Sequence, residues 1–269
     1  MKKILPTFIL FIIFACAIEQ KPATILPNYD HIADINLFLS TTDRKVEEQV
    51  LERLKLNDVD SSQVKLSLHT GVQVSNRKPT GLQPNLKFKM NGKTYSYSLY
   101  IPESAKPNMP MIVVMHGMGG SGANTIPTWI KRLRDKFVIV CPTYPMGAWW
   151  SKNAEEFVLK LINKTRENYS IDANRIFLSG LSNGAIGAYL IGMFYPDRFA
   201  GIIPIAGGIS KQLMSFLVNL NNTPVYIIQG LFDPMFPIKL SRRTYKILSD
   251  FKSPVVYREH KERGAAHGG

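Results

Sequence analysis

Residues 175–186 read RIFLSGLSNGAI, and this stretch decides how the rest of the chain is interpreted. An apolar strand comes first, a turn of small residues follows, and a helix is predicted from Asn183. Gly180 and Gly184 flank Ser182 and allow the backbone to turn sharply and to pack closely. Ser182 is then exposed at the helix amino terminus, where the helix dipole favours developing negative charge. The Gly-x-Ser-x-Gly pattern alone is weak evidence, but the strand, turn and helix around it predict that Ser182 is a nucleophile.

Short apolar segments alternate with helical segments along the chain on both sides of this turn. Because the predicted strands are apolar throughout, they indicate an α/β protein with a mostly parallel sheet covered by helices on both faces. Active sites in such sheets lie at the carboxyl ends of the strands. Asn153 is predicted to cap the first of the helices, with Glu156 three residues further on. The predicted strands are residues 111–115, 137–140, 175–178, 201–206, 225–228 and 255–257, and the predicted helices are residues 154–169, 211–219, 238–249 and the segment that starts at Asn183.

The segment His116-Gly117-Met118-Gly119-Gly120 directly follows the strand at 111–115. A tetrahedral intermediate of acyl transfer needs two preorganised hydrogen-bond donors. The backbone N–H groups of Met118 and Asn183 are predicted to supply them as an oxyanion hole, if the loop folds back over Ser182. His116 is predicted to hold this loop in place rather than to exchange protons.

An acid and a base are expected after the nucleophile, in the chain order Ser, Asp, His. Asp233 lies just beyond the strand at 225–228 and is the predicted acid, whereas Asp197 and Asp250 are interpreted as helix-edge or surface carboxylates. Two histidines follow Asp233. His260 continues the last strand, but His267 lies in a loop rich in glycine and alanine, from which an imidazole reaches over the sheet. His267 is therefore the predicted base.

Three aromatic residues fall on the loop after the strand at 137–140. Tyr144, Trp149 and Trp150 are predicted to form a pocket for the acyl or alcohol group of a substrate. Packing in the core is an equally good interpretation for one of them, because large aromatic side chains dominate core energetics.

At these motifs the chain resembles bacterial esterases related to polyhydroxybutyrate depolymerases and feruloyl esterases. The resemblance lies in HGMGG at 116–120, in the segment 170–201 with GLSNGA inside it, and in the Asp233 segment. Residues 241–243 and 256–259 also look like the phospholipase/carboxylesterase type. The resemblance covers about residues 90–267 and implies an α/β-hydrolase fold. It also implies hydrolysis of small-molecule or polymeric esters through an acyl-enzyme, without metal or cofactor. Ala185 departs from the pattern, because a second glycine is common there.

The amino terminus has the pattern of an export signal. Lys2 and Lys3 precede an apolar run over residues 7–15, which is too short to span a bilayer but matches the core of a signal peptide. Ala15-Cys16 closes this run as a bacterial lipobox does. The sequence therefore predicts lipidation of Cys16 and an anchored cell-envelope protein. The alternatives are plain cleavage, which gives a periplasmic or secreted protein, and a retained anchor.

These features divide the chain into a signal peptide (1–15), a tether (16–42), an amino-terminal helical appendage and lead-in (43–90) and an α/β-hydrolase catalytic domain (91–269). In the appendage, Val46, Val50 and Leu54 form one apolar helical stripe. Asn91-Gly92 predicts a hairpin turn between two strands at the start of the catalytic domain.

Composition limits the remaining possibilities. Hydrophobic residues make up 45% of the 269 residues, which is typical of a globular chain and excludes a disordered one. The net charge is +13, or +11 once Lys2 and Lys3 are removed. A basic face exposed to solvent would explain this excess of positive charge. A functional alternative is that the charge attracts the protein to anionic envelope surfaces or acidic substrates. Nucleic acid is not an expected partner, because no binding module is recognisable. Cys141 is predicted to be a core thiol, with no disulfide.

Three functions from different classes fit these observations. The first is an exported serine esterase, and the second is a serine peptidase on the same fold. The third is a surface lipoprotein that keeps the fold without catalysis, which the basic surface suggests. Since one fold serves many functions, the choice depends on the site itself.

Overall fold

A computed structural model describes residues 29–41, 43–70, 79–262 and 267 of the chain. Its strands are β1 (Gly81–Met90), β2 (Lys93–Ile101), β3 (Met109–Met115), β4 (Val138–Thr143), β5 (Ile171–Leu181), β6 (Gly201–Ile205), β7 (Val225–Gly230) and β8 (Val255–His260). They form one sheet in the order β1-β2-β4-β3-β5-β6-β7-β8. The pairs β1–β2 and β2–β4 are antiparallel and the other pairs are parallel. The predicted mostly parallel α/β-hydrolase sheet is confirmed.

Helices connect the strands and cover the sheet. The α-helices are α1 (His31–Ser40), α2 (Arg44–Leu56), α3 (Ser61–Thr70), α4 (Gly122–Leu133), α5 (Lys152–Asn168), α6 (Asn183–Phe194) and α7 (Ile238–Asp250). Shorter 3₁₀ segments span Arg134–Lys136, Pro145–Gly147, Pro196–Arg198 and Lys211–Leu220. None of the helices in the described part of the chain is long and apolar enough to cross a membrane.

The core lies on both faces of the sheet, as the apolar strands predict. In β3, Met111, Val113 and Met115 belong to a large cluster that also contains residues of α5 and α6. The alternate residues Ile112 and Val114 belong to a second cluster with Ile126 of α4. Because side chains alternate across a strand, one short segment supplies both cores.

Helices α4 and α5 differ from the sequence prediction. Helix α4 was not predicted, because Gly122 at its start and Pro127 within it are residues that normally break helices. The helix begins all the same, with the Ser121 side chain accepting a hydrogen bond from the Asn124 N–H. Helix α5 was predicted with Asn153 as its cap. The cap is Ser151, whose Oγ accepts from the Ala154 N–H at 3.2 Å.

The sheet begins earlier than the predicted boundary at residue 91. Strand β1 lies within the predicted lead-in 43–90, and Tyr95 and Phe88 face each other across the hairpin that it forms with β2. Asn91 and Gly92 both have positive φ angles, of 50° and 71°, so the predicted hairpin turn is confirmed. Helix α1 lies within the predicted tether 16–42, where no helix was predicted. The side chain of Asp30 caps it.

The amino-terminal helices are joined by a charged contact. Both oxygens of Asp34 in α1 accept hydrogen bonds from Arg53 in α2, at 2.8 and 2.7 Å, and these bonds hold the pKa of Asp34 below its usual value. Val50 on the predicted stripe is fully buried. The predicted signal peptide 1–15, Cys16 and residues 16–28 of the tether lie outside the described residues.

We expect Gly122→Ala to destabilise the fold, because an added Cβ would lie 1.9 Å from the Cys141 carbonyl oxygen in β4. Relief of this overlap requires backbone movement, which typically costs about 1–3 kcal/mol in a packed core. Gly208→Ala is the matched control, since its added Cβ would meet the nearest atom at 3.6 Å. Denaturant unfolding measures both variants, and equal midpoints would contradict the packing of α4 described here.

Candidate active site

Ser182 occupies a strained turn between β5 and α6. Its φ and ψ are 57° and −117°, a region that residues other than glycine rarely adopt. The Ser182 N–H donates to the Ile205 carbonyl in β6 at 2.9 Å, which fixes the turn to the neighbouring strand. Such strain persists only where the surrounding structure enforces it. The turn therefore depends on the packing around it.

The two flanking glycines make this packing possible. A Cβ added to Gly180 would lie 2.1 Å from the Gly184 carbonyl oxygen, and one added to Gly184 would lie 2.1 Å from that of Met115. Both glycines are thus required by close backbone contacts that leave no room for a side chain. The departure at Ala185 is accommodated too, because a Cβ on Gly207 would lie only 2.5 Å from the Ala185 Cβ. Gly207 supplies the space that Ala185 fills.

His267 lies between Ser182 and Asp233. Its Nε2 is 2.8 Å from the Ser182 Oγ, and its Nδ1 is 3.0 Å from the Asp233 Oδ2. A carboxylate only accepts hydrogen bonds, so Nδ1 of the neutral ring carries the hydrogen and Nε2 is free to accept from the Ser182 hydroxyl. The structure brings together the three residues that the sequence selected.

Asp233 is buried and accepts several hydrogen bonds. The N–H groups of Met235 and Phe236 donate to its Oδ1 at 2.8 and 2.9 Å. Burial acts to raise the pKa of Asp233, but the bonds from Phe236, His267 and Met235 outweigh it and hold that pKa below its usual value. Asp233 is therefore an ionised acceptor facing His267.

Gln229 supports Asp233, and the sequence reading did not identify it. Its Nε2 donates to the Asp233 Oδ2 at 2.9 Å and to the Phe236 carbonyl at 3.0 Å. The Ser241 hydroxyl in α7 donates to the Gln229 Oε1 at 2.9 Å. Gln229 is 1% exposed, so these bonds are shielded from water. Its position at the end of β7, four residues before Asp233, was the available signal.

His116 holds the loop after β3, as predicted. Its Nδ1 donates to the Gly117 carbonyl at 2.6 Å, and its Nε2 accepts from the Tyr144 N–H at 3.1 Å. These two bonds require the neutral ring, and burial lowers the pKa of His116 accordingly. The Trp149 indole N–H donates to the His116 carbonyl at 2.8 Å. His116 thus joins the loop to the segment after β4.

The loop held by His116 lies against the nucleophile. A Cβ added to Gly117 would meet the Ser182 Cβ at 3.4 Å. Asn183 is the first residue of α6, so its N–H has no partner within the helix. Its side-chain amide donates to the Met146 carbonyl at 3.3 Å. Met118 follows Gly117 directly, and the oxyanion role of Met118 and Asn183 stays a prediction.

The three aromatic residues of the predicted pocket have different surroundings. Trp149 is 1% exposed and packs in the core, the alternative that the sequence left open for one of them. Tyr144 is largely buried but lines a cavity of about 590 Å³ with Tyr95, Gly120 and Met146. Trp150 is exposed. A pocket role for Tyr144 and Trp150 stays a prediction.

Exposed apolar side chains lie near Ser182, at the carboxyl ends of the parallel strands. They come from the loops after β3, β4 and β7, all of which follow carboxyl ends of strands. Their exposed fractions lie between 63% and 67%, and the residues are Met118, Met146, Phe232 and Met235. We call these four residues the apolar rim. They give the site an apolar border, within which Ser182 itself is 9% exposed.

His260 is not part of this arrangement. It ends β8, and its Nδ1 is 3.6 Å from the Glu262 Oε2. Its carbonyl accepts from the Leu231 N–H at 2.9 Å, which ties β8 to the Asp233 loop. Cys141 is buried, which raises the pKa of its thiol, in keeping with its predicted core role. In the described ranges, no three His, Cys, Asp or Glu side chains gather as metal ligands.

The sheet and the turn at Ser182 define the chain as an α/β-hydrolase-fold protein. The solved structure of a thermostable esterase agrees, with a TM-score of 0.57 and 25% identity over 66% of this chain and 54% of that chain. Residues 150–268 match the Phospholipase/Carboxylesterase family. The esterase-type resemblance drawn from the sequence is confirmed.

Curated relatives match a similar part of the chain. Poly(3-hydroxyalkanoate) depolymerase C of Paucimonas lemoignei is 29% identical over 125 residues, which cover 40% of this chain and 30% of that protein. Feruloyl esterase B of Thermothelomyces thermophilus is 25% identical over 133 residues, which cover 44% and 46%. The chain thus matches less than half the length of either relative.

The lowered pKa of Asp233 predicts a pH-dependent contribution to stability. An unfolded aspartate titrates near pH 4, so ionised Asp233 stabilises the fold above about pH 4, and this contribution is lost as the pH falls through the lower folded pKa. Asp233→Asn should lower the free energy of unfolding at pH 7 and approach the wild type in acid. Glu103→Gln, at an exposed carboxylate, is the control. Denaturant unfolding from pH 7 to 2 measures this, and unchanged pH dependence in Asp233→Asn would contradict it.

Proposed function

We propose that this chain is a serine hydrolase that cleaves carboxylic esters through an acyl-enzyme. The observation that carries the proposal is the continuous contact from Ser182 Oγ through His267 to Asp233, at 2.8 and 3.0 Å. These distances suit a nucleophile, a general base and an orienting acid. An intact arrangement of this kind favours catalysis over a non-catalytic surface protein.

The reaction follows from the roles of these groups. His267 Nε2 takes the proton of Ser182 as Oγ attacks the ester carbonyl, and Asp233 stabilises the imidazolium through Nδ1–H. The backbone N–H groups of Met118 and Asn183 receive the developing oxyanion. His267 then gives its proton to the leaving alcohol. In the second half, a water molecule attacks the acyl-enzyme, with His267 again as base, and releases the acid and Ser182.

The surroundings of Ser182 support an ester with an apolar group. The apolar rim borders the site, and Gly119, Gly120 and Met146 line the cavity of about 590 Å³ next to it. Apolar surface around a concave site is typical of small-molecule binding. The relatives include a poly(3-hydroxyalkanoate) depolymerase and a feruloyl esterase. Candidate substrates of this chain therefore include polymeric esters as well as small-molecule esters. A panel of aryl esters of increasing acyl length, with feruloyl and hydroxybutyryl esters, would measure the preference.

We also propose that the protein is exported and anchored through a lipid on Cys16. The support is in the sequence: Lys2 and Lys3, the apolar run over residues 7–15, and Ala15 directly before Cys16. The segment between Cys16 and α1 would then connect the folded part of the chain to the membrane surface. The net positive charge of the chain would favour an anionic surface.

Ser182→Ala tests the nucleophile. We expect a loss in ester turnover on the order of 10⁶, because the groups of such a triad fail as a unit. Wild-type protein should react with a fluorophosphonate, and the variant should not. Ser210→Ala, at an exposed serine, is the control that keeps both properties. Esterase activity retained by Ser182→Ala, with normal folding by circular dichroism, would refute the proposal. Turnover of peptides with no turnover of esters would support the peptidase instead.

The two carboxyl-terminal histidines provide a second test. We expect His267→Ala to reduce turnover by about 10³ or more, because the Ser182 hydroxyl loses its proton acceptor. His260→Ala should have a much smaller effect, since its ring contacts Glu262 rather than the site. Steady-state kinetics of both variants at pH 7–8 measure the difference. The reverse result, with turnover lost only in His260→Ala, would show that the triad is wrong.

A further inference from the structure

A second cavity lies at the edge of the sheet opposite Ser182. It has a volume of about 830 Å³ and is lined by α3, α5, the start of β5 and the 3₁₀ segment Pro196–Arg198. Asn174 lines the cavity near one end of β5, and Ser182 follows the other end. Seven strand residues lie between them, so they are roughly 25 Å apart. This cavity is therefore separate from the candidate active site.

The charged residues that line this cavity are mostly cations. Lys65, Arg166 and Arg198 contribute positive charge, and Asp197 is the acid of the lining. Asp197 is 79% exposed, and its Oδ2 lies 4.0 Å from the Arg198 Nε, so it neutralises the cavity weakly. The lining keeps an excess of two positive charges.

Arg166 is a partly buried cation of this lining that forms no ion pair with the described residues. Burial, followed by repulsion from Arg198, lowers its pKa. The remaining residues of the sequence contain a single acid, Glu19. A partly buried guanidinium without a counterion is costly, and a bound anion removes that cost.

The rest of the lining is apolar. Its aliphatic side chains come from three elements and the turn before α3, and they are Val59, Val64, Leu159, Ile162 and Ile176. A guanidinium recognises planar carboxylate or tetrahedral phosphate through paired hydrogen bonds. Arginines beside aliphatic walls suit a ligand with an anionic head and an apolar body.

We propose that this cavity binds an amphipathic anion, with its carboxylate or phosphate on Arg166 and Arg198 and its alkyl body on the aliphatic wall. Free alkyl carboxylates and phosphates, and the headgroups of anionic lipids, share this chemistry. The site does not depend on ester hydrolysis, because its residues lie at the opposite edge of the sheet from Ser182.

Calorimetric titration of the folded protein with dodecyl phosphate, below its micellar concentration, tests the proposal. We expect binding to weaken about tenfold or more in Arg166→Gln, since a charge-assisted hydrogen bond is lost, and further in the double variant with Arg198→Gln. Arg132→Gln, at an exposed arginine in α4, is the matched control with wild-type affinity. Inorganic phosphate should bind far more weakly than dodecyl phosphate, because it lacks the alkyl body.

Equal affinity of wild type, Arg132→Gln and Arg166→Gln for dodecyl phosphate would overturn the proposal, as would equal affinity for inorganic phosphate. Thermal unfolding and ester turnover of each variant show whether it is folded, and the conservative Arg166→Lys should keep part of the affinity. Phosphatidylglycerol and phosphatidylcholine vesicles distinguish the sources. Vesicle binding that is lost in Arg166→Gln assigns a lipid headgroup, and vesicle binding that is unchanged assigns a free amphipathic anion.

Discussion

The close approach of three backbone segments at Ser182 is the constraint on which the rest of the site depends. The carbonyl oxygens of Met115 and Gly184 occupy the space that a Cβ at Gly184 or Gly180 would need. This contact brings the end of β3 against the first turn of α6, and the positive φ of Ser182 is its result. With that turn fixed, the loop after β3 lies against Ser182 and the first turn of α6. The proposed oxyanion donors, the N–H groups of Met118 and Asn183, belong to these two segments.

Around that turn, polar side chains join loops that the sheet alone would leave independent. His116 bonds the loop after β3 to the segment after β4, through Gly117, Tyr144 and Trp149. Gln229 joins Asp233 to α7, because it donates to the Asp233 carboxylate and accepts from the Ser241 hydroxyl. Buried polar groups of this kind are favourable only when each partner is satisfied, and here each has a named partner. The proposed acid and the proposed oxyanion loop are thus positioned by bonds outside the triad.

Much of this arrangement could be predicted from the sequence. The features that could not be predicted depend on contacts between residues that are distant in the chain. Ser182, Asp233 and His267 were selected because each follows an apolar strand in the expected chain order, and this information is local. The contact of Ala185 with Gly207 was not predictable, since it joins residues 22 positions apart, one in α6 and the other in the loop after β6. Gln229 lies only four residues before Asp233, but its bond to Ser241 depends on where α7 packs, which the sequence does not show. Helix α4 was not predicted because glycine has a low helix propensity. Gly122 is required there by its close contact with the Cys141 backbone.

The position of β8 has a consequence for how the molecule loses its function. Among the described strands, β8 lies at the edge of the sheet and pairs with β7, and His267 follows it in the chain. The Leu231 N–H bond to the His260 carbonyl couples this edge to the Asp233 loop. Proteins open in cooperative units of unequal stability, and edge elements belong to the weaker ones. Opening of β8 would withdraw the proposed base and loosen the proposed acid while the central strands stay folded. Loss of the proposed activity would then be a sub-global event that precedes global unfolding, governed by the stability of the ladder between β7 and β8.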